Sequence, residues 1–340
     1  MLALENETPY AAERAVLLDA DGTKVWVVAV KATYALAPDG GCAPHPDPDP
    51  VALAPRYSGA PGASTLLREA ELVVAHPGTA VTLNATAYAP AGGQVTERTV
   101  GVEVGPVRKR LRVWGDRSWE RSWRGLAAGR PAPWREMPLV WERAFGGPSG
   151  AGDEEPWPEN PIGVGRRAPA GRGGAAEPAP LPNVEYPDHP VRDPAGAPAP
   201  AGFAAVPGGW SPRRQLAGTF DAAWRTSRCP LWPADYDPRH HLAAPADQVA
   251  AQPLRGGERV RLDGLTPGGG LFEFALPRVH LAFTTYWRRG GRAAHRAQLD
   301  RVIVEPTAGR LVLVWRAALP CGGDARAVEA TVVSTKRVLW

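Results

Sequence analysis

Lysine is scarce in this chain. Lys24, Lys31, Lys109 and Lys336 are its lysines, within a total of 39 lysines and arginines and a formal net charge of +4. A nucleic-acid or membrane-surface face needs clustered cations. The dense cluster here is Arg108-Lys109-Arg110 with Arg112. On a strand those side chains alternate, so at most Arg108, Arg110 and Arg112 share a face. The expectation is a solvated strand face rather than a phosphate-binding stripe, with no nucleic acid as partner. Cysteine is also scarce: Cys42, Cys229 and Cys321 are scattered and odd in number. Neither a disulfide framework nor a zinc knuckle follows. No segment reaches the ~18 consecutive apolar residues of a membrane helix. The start, "MLALENETPY", has acidic residues and no basic region leading into an apolar stretch, so it does not read as a signal peptide. A cytoplasmic protein without a membrane partner is expected.

The sequence also lacks the usual marks of chemistry. There is no G-x-S-x-G elbow, no Walker motif and no dinucleotide fingerprint after a strand. "GVGRR" follows Pro161 in a loop. His240-His241 with Asp235 and Asp237 has no third ligand at a metal-site spacing. Asp153-Glu154-Glu155 are neighbours, whereas the paired carboxylates of a glycosidase come from separate elements. No catalytic residue, metal or cofactor is expected.

Glycine and proline are abundant, 38 of each in 340 residues, which disfavours long helices. The fold is expected to be mainly β. The chain reads as a single domain over 1–340, a large antiparallel assembly with long ordered Pro/Gly-rich loops and a few short helices. Val25 to Leu36 reads as a long strand after the Asp21-Gly22 turn, with Trp26, Val28, Val30, Ala32, Tyr34 and Leu36 on one face. Further strands are expected over 80–90, 99–105, 107–115, 258–265, 271–277, 301–306, 310–319 and from 330 to the end. Gly105-Pro106 and Pro306-Thr307-Ala308-Gly309 mark hairpin turns. Thr219 is placed as the cap of a short helix carrying Phe220, Ala223 and Trp224. Residues 63–72 fit a short helix or a strand, and 245–252 a short helix. From 148 to 212 proline and glycine dominate, yet Trp157, Asn160, Leu181, Asn183, Tyr186, Phe203 and Trp210 would anchor an ordered excursion on the core. Only 166–180 reads as flexible.

Two stretches concentrate large and polar side chains. "GDRSWERSW" (115–123) places Asp116 and Arg117 beside Trp119 and Trp123. It fits either a sugar-stacking site or an aromatic mini-core, with Trp114, Trp134 and Trp141, closed by Arg–carboxylate pairs. "MPLVWERAFGG" (137–147) joins Pro138 and Leu139 to Glu142, Arg143, Phe145 and a Gly146-Gly147 end. Arg143 can hold several loop carbonyls or a buried carboxylate. The two glycines permit a positive φ or a close backbone approach.

These stretches occur in a fixed order with "DGTKVWVVAVKATYAL", "VWGDRSW", "ENPIGVG", "LPNVEYP", "GTFDAAWRTSRCPLWPADYDPRHHLAAPADQ" and "LVLVWRA". In that order and wording the chain resembles the bacterial domain-of-unknown-function family 2169, from Asn6 to Arg316. The resemblance implies an effector adaptor or chaperone of type VI secretion, not an enzyme. Its partners would be a type VI effector, encoded nearby, and the VgrG/PAAR spike proteins. The family wording carries over onto Asp116, Arg117, Trp119, Pro138, Leu139, Glu142, Arg143, Phe145, Gly146, Gly147, Asn160, Pro161, Gly163, Leu181, Pro182, Asn183, Glu185, Gly218, Thr219 and Trp224. Whether these lock a scaffold or grip a partner is open at this level. The chain departs from the family at "HPGTAV" (76–81), where the family reads K-G-T-D-V, and at Asp300-Arg301, where it reads D-T. Two other readings stand beside the adaptor: a carbohydrate- or peptidoglycan-binding or -active protein using the Trp-rich region, and a structural spike component.

Overall fold

The long strand Lys24–Leu36 alternates apolar side chains with a second set that is also buried. A strand buried on both faces must lie inside a layered structure. It does so here in a seven-stranded sheet, one strand in from the edge, in this computed structural model, which describes residues 3–74, 76–122, 125–148, 155–166, 179–193, 196–321 and 327–335. The order across that sheet is Val249–Ala250, Thr79–Leu83, Gln298–Glu305, Arg310–Pro320, Lys24–Leu36 and Ala11–Leu18, with Cys42–Pro44 added to the far end of Lys24–Leu36. A five-stranded sheet runs Val184–Glu185, Val107–Trp114, Glu97–Val104, Arg259–Asp263, Leu271–Ala275. A four-stranded sheet runs Ala3–Asn6, Val328–Thr335, Leu281–Trp287, Arg292–Arg296.

The even-numbered face of Lys24–Leu36 meets both smaller sheets. Ala32 and Tyr34 join Leu311 and Leu313 against Val100, Val102, Leu111 and Leu262 of the five-stranded sheet. Trp26, Val28 and Val30 pack against Phe283, Val328 and Val333 of the four-stranded sheet. The opposite face is also buried and sets charged groups among Val27, Ala29, Ile303, Val312 and Val314. Lys31 Nζ lies 2.9 Å from Glu71. Arg68 pairs with Glu305 at 2.9 Å, and Arg310 with Asp49 at 2.6 Å. Asp300 takes two bonds from Arg316 and lies 3.0 Å from His76 Nε2. Burial alone would raise the Asp300 carboxyl. Arg316 and His76 outweigh it and hold the group well below the usual carboxylate range.

The mainly β reading holds, with corrections. The assembly is not antiparallel throughout: Thr79–Leu83 runs parallel to Gln298–Glu305, Ala3–Asn6 parallel to Val328–Thr335, and Phe145–Gly146 parallel to Val164–Gly165. Long connections between these strands allow it, and no turn chemistry announces such pairs. The stretch 80–90 breaks at Asn84-Ala85 into Thr79–Leu83 and Thr86–Tyr88, because Asn84 leaves the ladder to bond Glu305 and the Leu67 carbonyl. Residues 63–72 supply the short strand Leu66–Arg68. Residues 245–252 form a single 3-10 turn, Ala246–Gln248, then the strand Val249–Ala250. The helix Ala222–Ser227 is capped by Asp221, not Thr219. The strands Ala11–Leu18, Leu281–Trp287 and Arg292–Arg296 were not anticipated. Of the expected C-terminal strand, 336–340 lies outside the described residues. So does most of the expected flexible loop, and its described end is anchored: Ala179 is buried and Pro180 bridges Ser118. Asn160, Leu181, Asn183, Phe203 and Trp210 of the excursion are all buried. Among the described residues no helix is long and apolar enough to cross a membrane.

Candidate functional site

Strand Val107–Trp114 ends in the turn Gly115-Asp116-Arg117. Backbone bonds tie that turn to the excursion: Trp114 N–H donates to Asn183 O at 2.8 Å and Leu181 N–H to Arg117 O at 2.9 Å. Asn183 N–H donates to Arg143 O at 2.9 Å, which brings the 3-10 turn Trp141–Arg143 to the same place. Three motif stretches thus meet. Their side chains close the junction in two layers.

The inner layer is buried. Arg117 donates to Glu185 Oε1 at 2.6 Å and covers the Trp114 ring at 4.3 Å. Glu185 also accepts from the Trp114 indole at 3.0 Å and from Val191 N–H at 3.3 Å. Burial pushes Arg117 below its ordinary value and Glu185 above its own, and the ion pair opposes both shifts. Asn160 is fully buried, and its amide donates to Trp141 O at 2.8 Å and Phe145 O at 3.0 Å. Glu142 accepts both the backbone N–H and the hydroxyl of Thr65. Gly146 and Gly147 have φ of 144° and 82°. A Cβ on Gly147 would strike Gly163 O, and one on Gly163 would strike Asn160 and Ala144 O. Phe145 packs edge-on to Trp157 at 5.6 Å, in a cluster with Trp119 and Leu181. Leu139 is buried in the main core, Pro138 ends a short strand paired with Thr86–Tyr88, Pro161 continues the Asn160 turn, and Pro182 packs under Gly165.

The outer layer is open. Asp116 Oδ1 accepts from Arg143 at 3.2 Å and from Asn183 at 3.0 Å, yet the Asp116 side chain is 76% exposed. Arg143 also donates to Asn183 Oδ1 at 2.9 Å. These residues, with Arg117, Glu142, Val164, Pro180 and Leu181, line a cleft of about 360 Å³. The expectation for Arg143 is corrected in one respect. Asn160, not Arg143, holds the loop carbonyls, because a short amide fits inside the turn while the guanidinium stem carries its charge out to Asp116.

Gly218, Thr219 and Trp224 are not part of this cleft. Thr219 gives its N–H and hydroxyl to Asp235 at 2.9 and 2.8 Å, Gly218 turns against Pro233, and Trp224 donates to Leu231 O at 2.8 Å. The tryptophans do not form one mini-core either: Trp134, Trp119 and Trp141 are buried in three separate clusters. Trp123 and Asp153-Glu154 lie outside the described residues. Around His240-His241 each carboxylate is already engaged, Asp235 by Thr219 and Asp237 by Arg239. Among the described residues no group of three His, Cys, Asp or Glu converges on a metal position. Thr65 escaped the sequence reading because it is 77 residues from Glu142. A usable signal existed for the buried ionic layer: Lys31 stands in the middle of an apolar strand.

A family model described as "Uncharacterized protein conserved in bacteria (DUF2169)" matches residues 21–316. The chain belongs to this family. No curated protein and no solved structure matches it. The DUF2169 match spans the motif junction, the five-stranded sheet and most of the seven-stranded sheet. Strands Ala3–Asn6 and Val328–Thr335, which pair with each other, fall outside it. Two of the three departures that the resemblance implies meet in space. Ala80, where the wording has aspartate, and Arg301, where it has threonine, are register partners in the parallel pair.

Proposed function

We propose that this DUF2169 protein is a cytoplasmic, non-catalytic adaptor that holds a type VI secretion effector and helps load it onto the VgrG/PAAR spike. The resemblance in motif order and wording supplies the system. One observation carries the mode of holding. Among the described residues, strand Ala11–Leu18 is the outermost long strand of the seven-stranded sheet and pairs on one side only, with Lys24–Leu36. Val16 and Leu18 stand exposed on it at 36% and 45%. Apart from Arg14, whose N–H is taken by Glu13, such an edge turns backbone N–H and C=O groups outward that can take up a partner strand, with apolar side chains to add area. The motif junction is read as the scaffold behind that edge, since most of its polar heads are engaged within the protein.

The test is co-expression with the effector and spike proteins encoded beside it, followed by size exclusion. Co-elution in a stoichiometric complex is expected. Val16→Pro should weaken it, because the backbone N–H of Val16 faces away from Lys24–Leu36 and proline removes that donor from the free edge while leaving the ladder to Lys24–Leu36 in place. If the chain co-elutes with none of its neighbours' products, the adaptor reading fails.

A further inference from the structure

The outer face of the five-stranded sheet carries the arginine stripe. Arg108, Arg110 and Arg112 alternate with Val107, Lys109, Leu111 and Val113, and only the second set is buried. With the segment Tyr186-Pro187-Asp188 as a wall, that face forms a groove of about 830 Å³.

Two rows of side chains cross its floor, set by register. In one row Arg108, Glu103, Arg261 and Glu273 lie on successive strands. Charges alternate there, and the ion pairs Arg108–Glu103, Arg261–Glu103 and Arg261–Glu273 at 4.0, 3.9 and 2.7 Å satisfy the row from within. In the next row Arg110, Gly101, Asp263 and Leu271 lie on the same four strands. Asp263 is turned to Arg98 at 3.7 Å. Gly101 has no side chain, so a gap separates Arg110 from Asp263. Arg112 pairs with Glu97 at 3.1 Å and Lys109 with Asp247 at 2.9 Å. Arg110, exposed at the head of the gap, is the one stripe cation without a carboxylate among the described residues. Leu271, 55% exposed, stands at the other end.

We propose that this gap binds an extended peptide segment whose acidic side chain pairs with Arg110 above Gly101, with an apolar residue of the same segment against Leu271. The inference rests on the adaptor reading in taking a polypeptide as the ligand. Local chemistry favours a peptide over a nucleic acid. Five cations line the groove: Arg108, Lys109, Arg110, Arg112 and Arg261. Four carboxylates answer them: Glu103, Asp188, Asp247 and Asp263. A polyphosphate would meet repulsion from those carboxylates along its length, whereas one peptide carboxylate meets a single free guanidinium. Tyr186, the groove's aromatic side chain, is already engaged by Asp247 at 3.0 Å and by Lys109 over its ring at 5.1 Å.

Fluorescence anisotropy tests this with a fluorescein-labelled heptapeptide of alternating aspartate and leucine, its lysine–leucine counterpart, and a labelled oligothymidylate. The variants are Arg110→Glu and Gly101→Val. Arg110 is exposed, and a Cβ on Gly101 would meet Lys109 O and Arg110 Cγ at 3.4 and 3.5 Å, ordinary contacts, so both should melt like the parent. The acidic peptide should bind the parent and lose at least about tenfold in affinity on each variant, the scale of a lost charge pair at an interface. Lysine–leucine peptide and oligothymidylate should not compete. Equal affinity for parent and Arg110→Glu, or tighter binding of the oligonucleotide, would overturn the proposal. So would undiminished co-elution of Arg110→Glu with a neighbouring effector, which leaves the adaptor reading standing. Acidic-peptide binding that survives a failed co-elution supports the groove and removes the adaptor reading alone.

Discussion

Replacing Glu185 with glutamine keeps the length of the side chain and removes its charge. Glu185 is 3% exposed and is the carboxylate partner of Arg117, whose side chain is 6% exposed. It also accepts the Trp114 indole and Val191 N–H. A glutamine has one carbonyl oxygen for these three donors, and Arg117 is left buried with Pro182 O at 3.4 Å as its remaining acceptor. Breaking a buried pair on one side costs about 3–5 kcal/mol, chiefly through the stranded charge. The exposed pair of the same junction provides the contrast. Asp116 and Arg143 are 76% and 35% exposed, so after solvent screening Asp116→Ala should cost under about 1 kcal/mol. Urea denaturation of the parent and both variants measures the difference, as a shift of midpoint at constant slope. Arg117→Met combined with Glu185→Gln should cost less than the sum of the two single changes, because no charge is then stranded. If Glu185→Gln is no more destabilised than Asp116→Ala, or if the double variant is additive, the inner layer is not what locks the junction.

Two further outcomes follow from the geometry. Gly147→Ala should destabilise by about 1–3 kcal/mol or more, the scale of backbone strain before the clash with Gly163 O is added. Gly92→Ala, at a similar positive φ with open space around it, should cost less, and equal melting temperatures for the two would refute the close approach. His241 is held down to about 3, first by burial and then by His240, His76 and nearby guanidinium groups. Its folded value lies below its unfolded one, so the stability it contributes is complete above about 6.5 and is lost as pH falls toward 3. Equilibrium unfolding across that window should show the loss, and His241→Gln should flatten it; an unchanged slope would mean that another group carries the acid sensitivity.

The salient strands were legible because their cause is local. Period-two burial picks out Glu97–Val104 and Val107–Trp114, and Gly105-Pro106 between them leaves a two-residue turn, with Val104 opposite Val107. Gly309, at φ 59°, closes the other expected hairpin. Ala11–Leu18 is not legible in the sequence because its edge position weakens the alternation: it buries no residue fully, and it mixes Glu13 and Arg14 with apolar neighbours. The Asp221 cap lost to Thr219 in the reading because both are good caps, and only the contact with Asp235 removes Thr219 from the helix.

The site divides along the same line. From the sequence came most members of the motif junction, though not Thr65, and the conformational need for glycine at 146 and 147, since residue type alone limits φ and close approach. Tertiary structure alone decided who pairs with whom. Glu142 reaches Thr65 across 77 positions, Arg117 reaches Glu185 across 68, and the altered positions Ala80 and Arg301 become neighbours through a parallel pair that no turn encodes. It also decided that, among the described residues, Arg110 has no carboxylate partner while Arg108 and Arg112 do, because cross-strand register puts glutamate near those two and Gly101 opposite the third. Side-chain periodicity is written in neighbouring residues, whereas register between distant strands is set by the burial of the whole sheet.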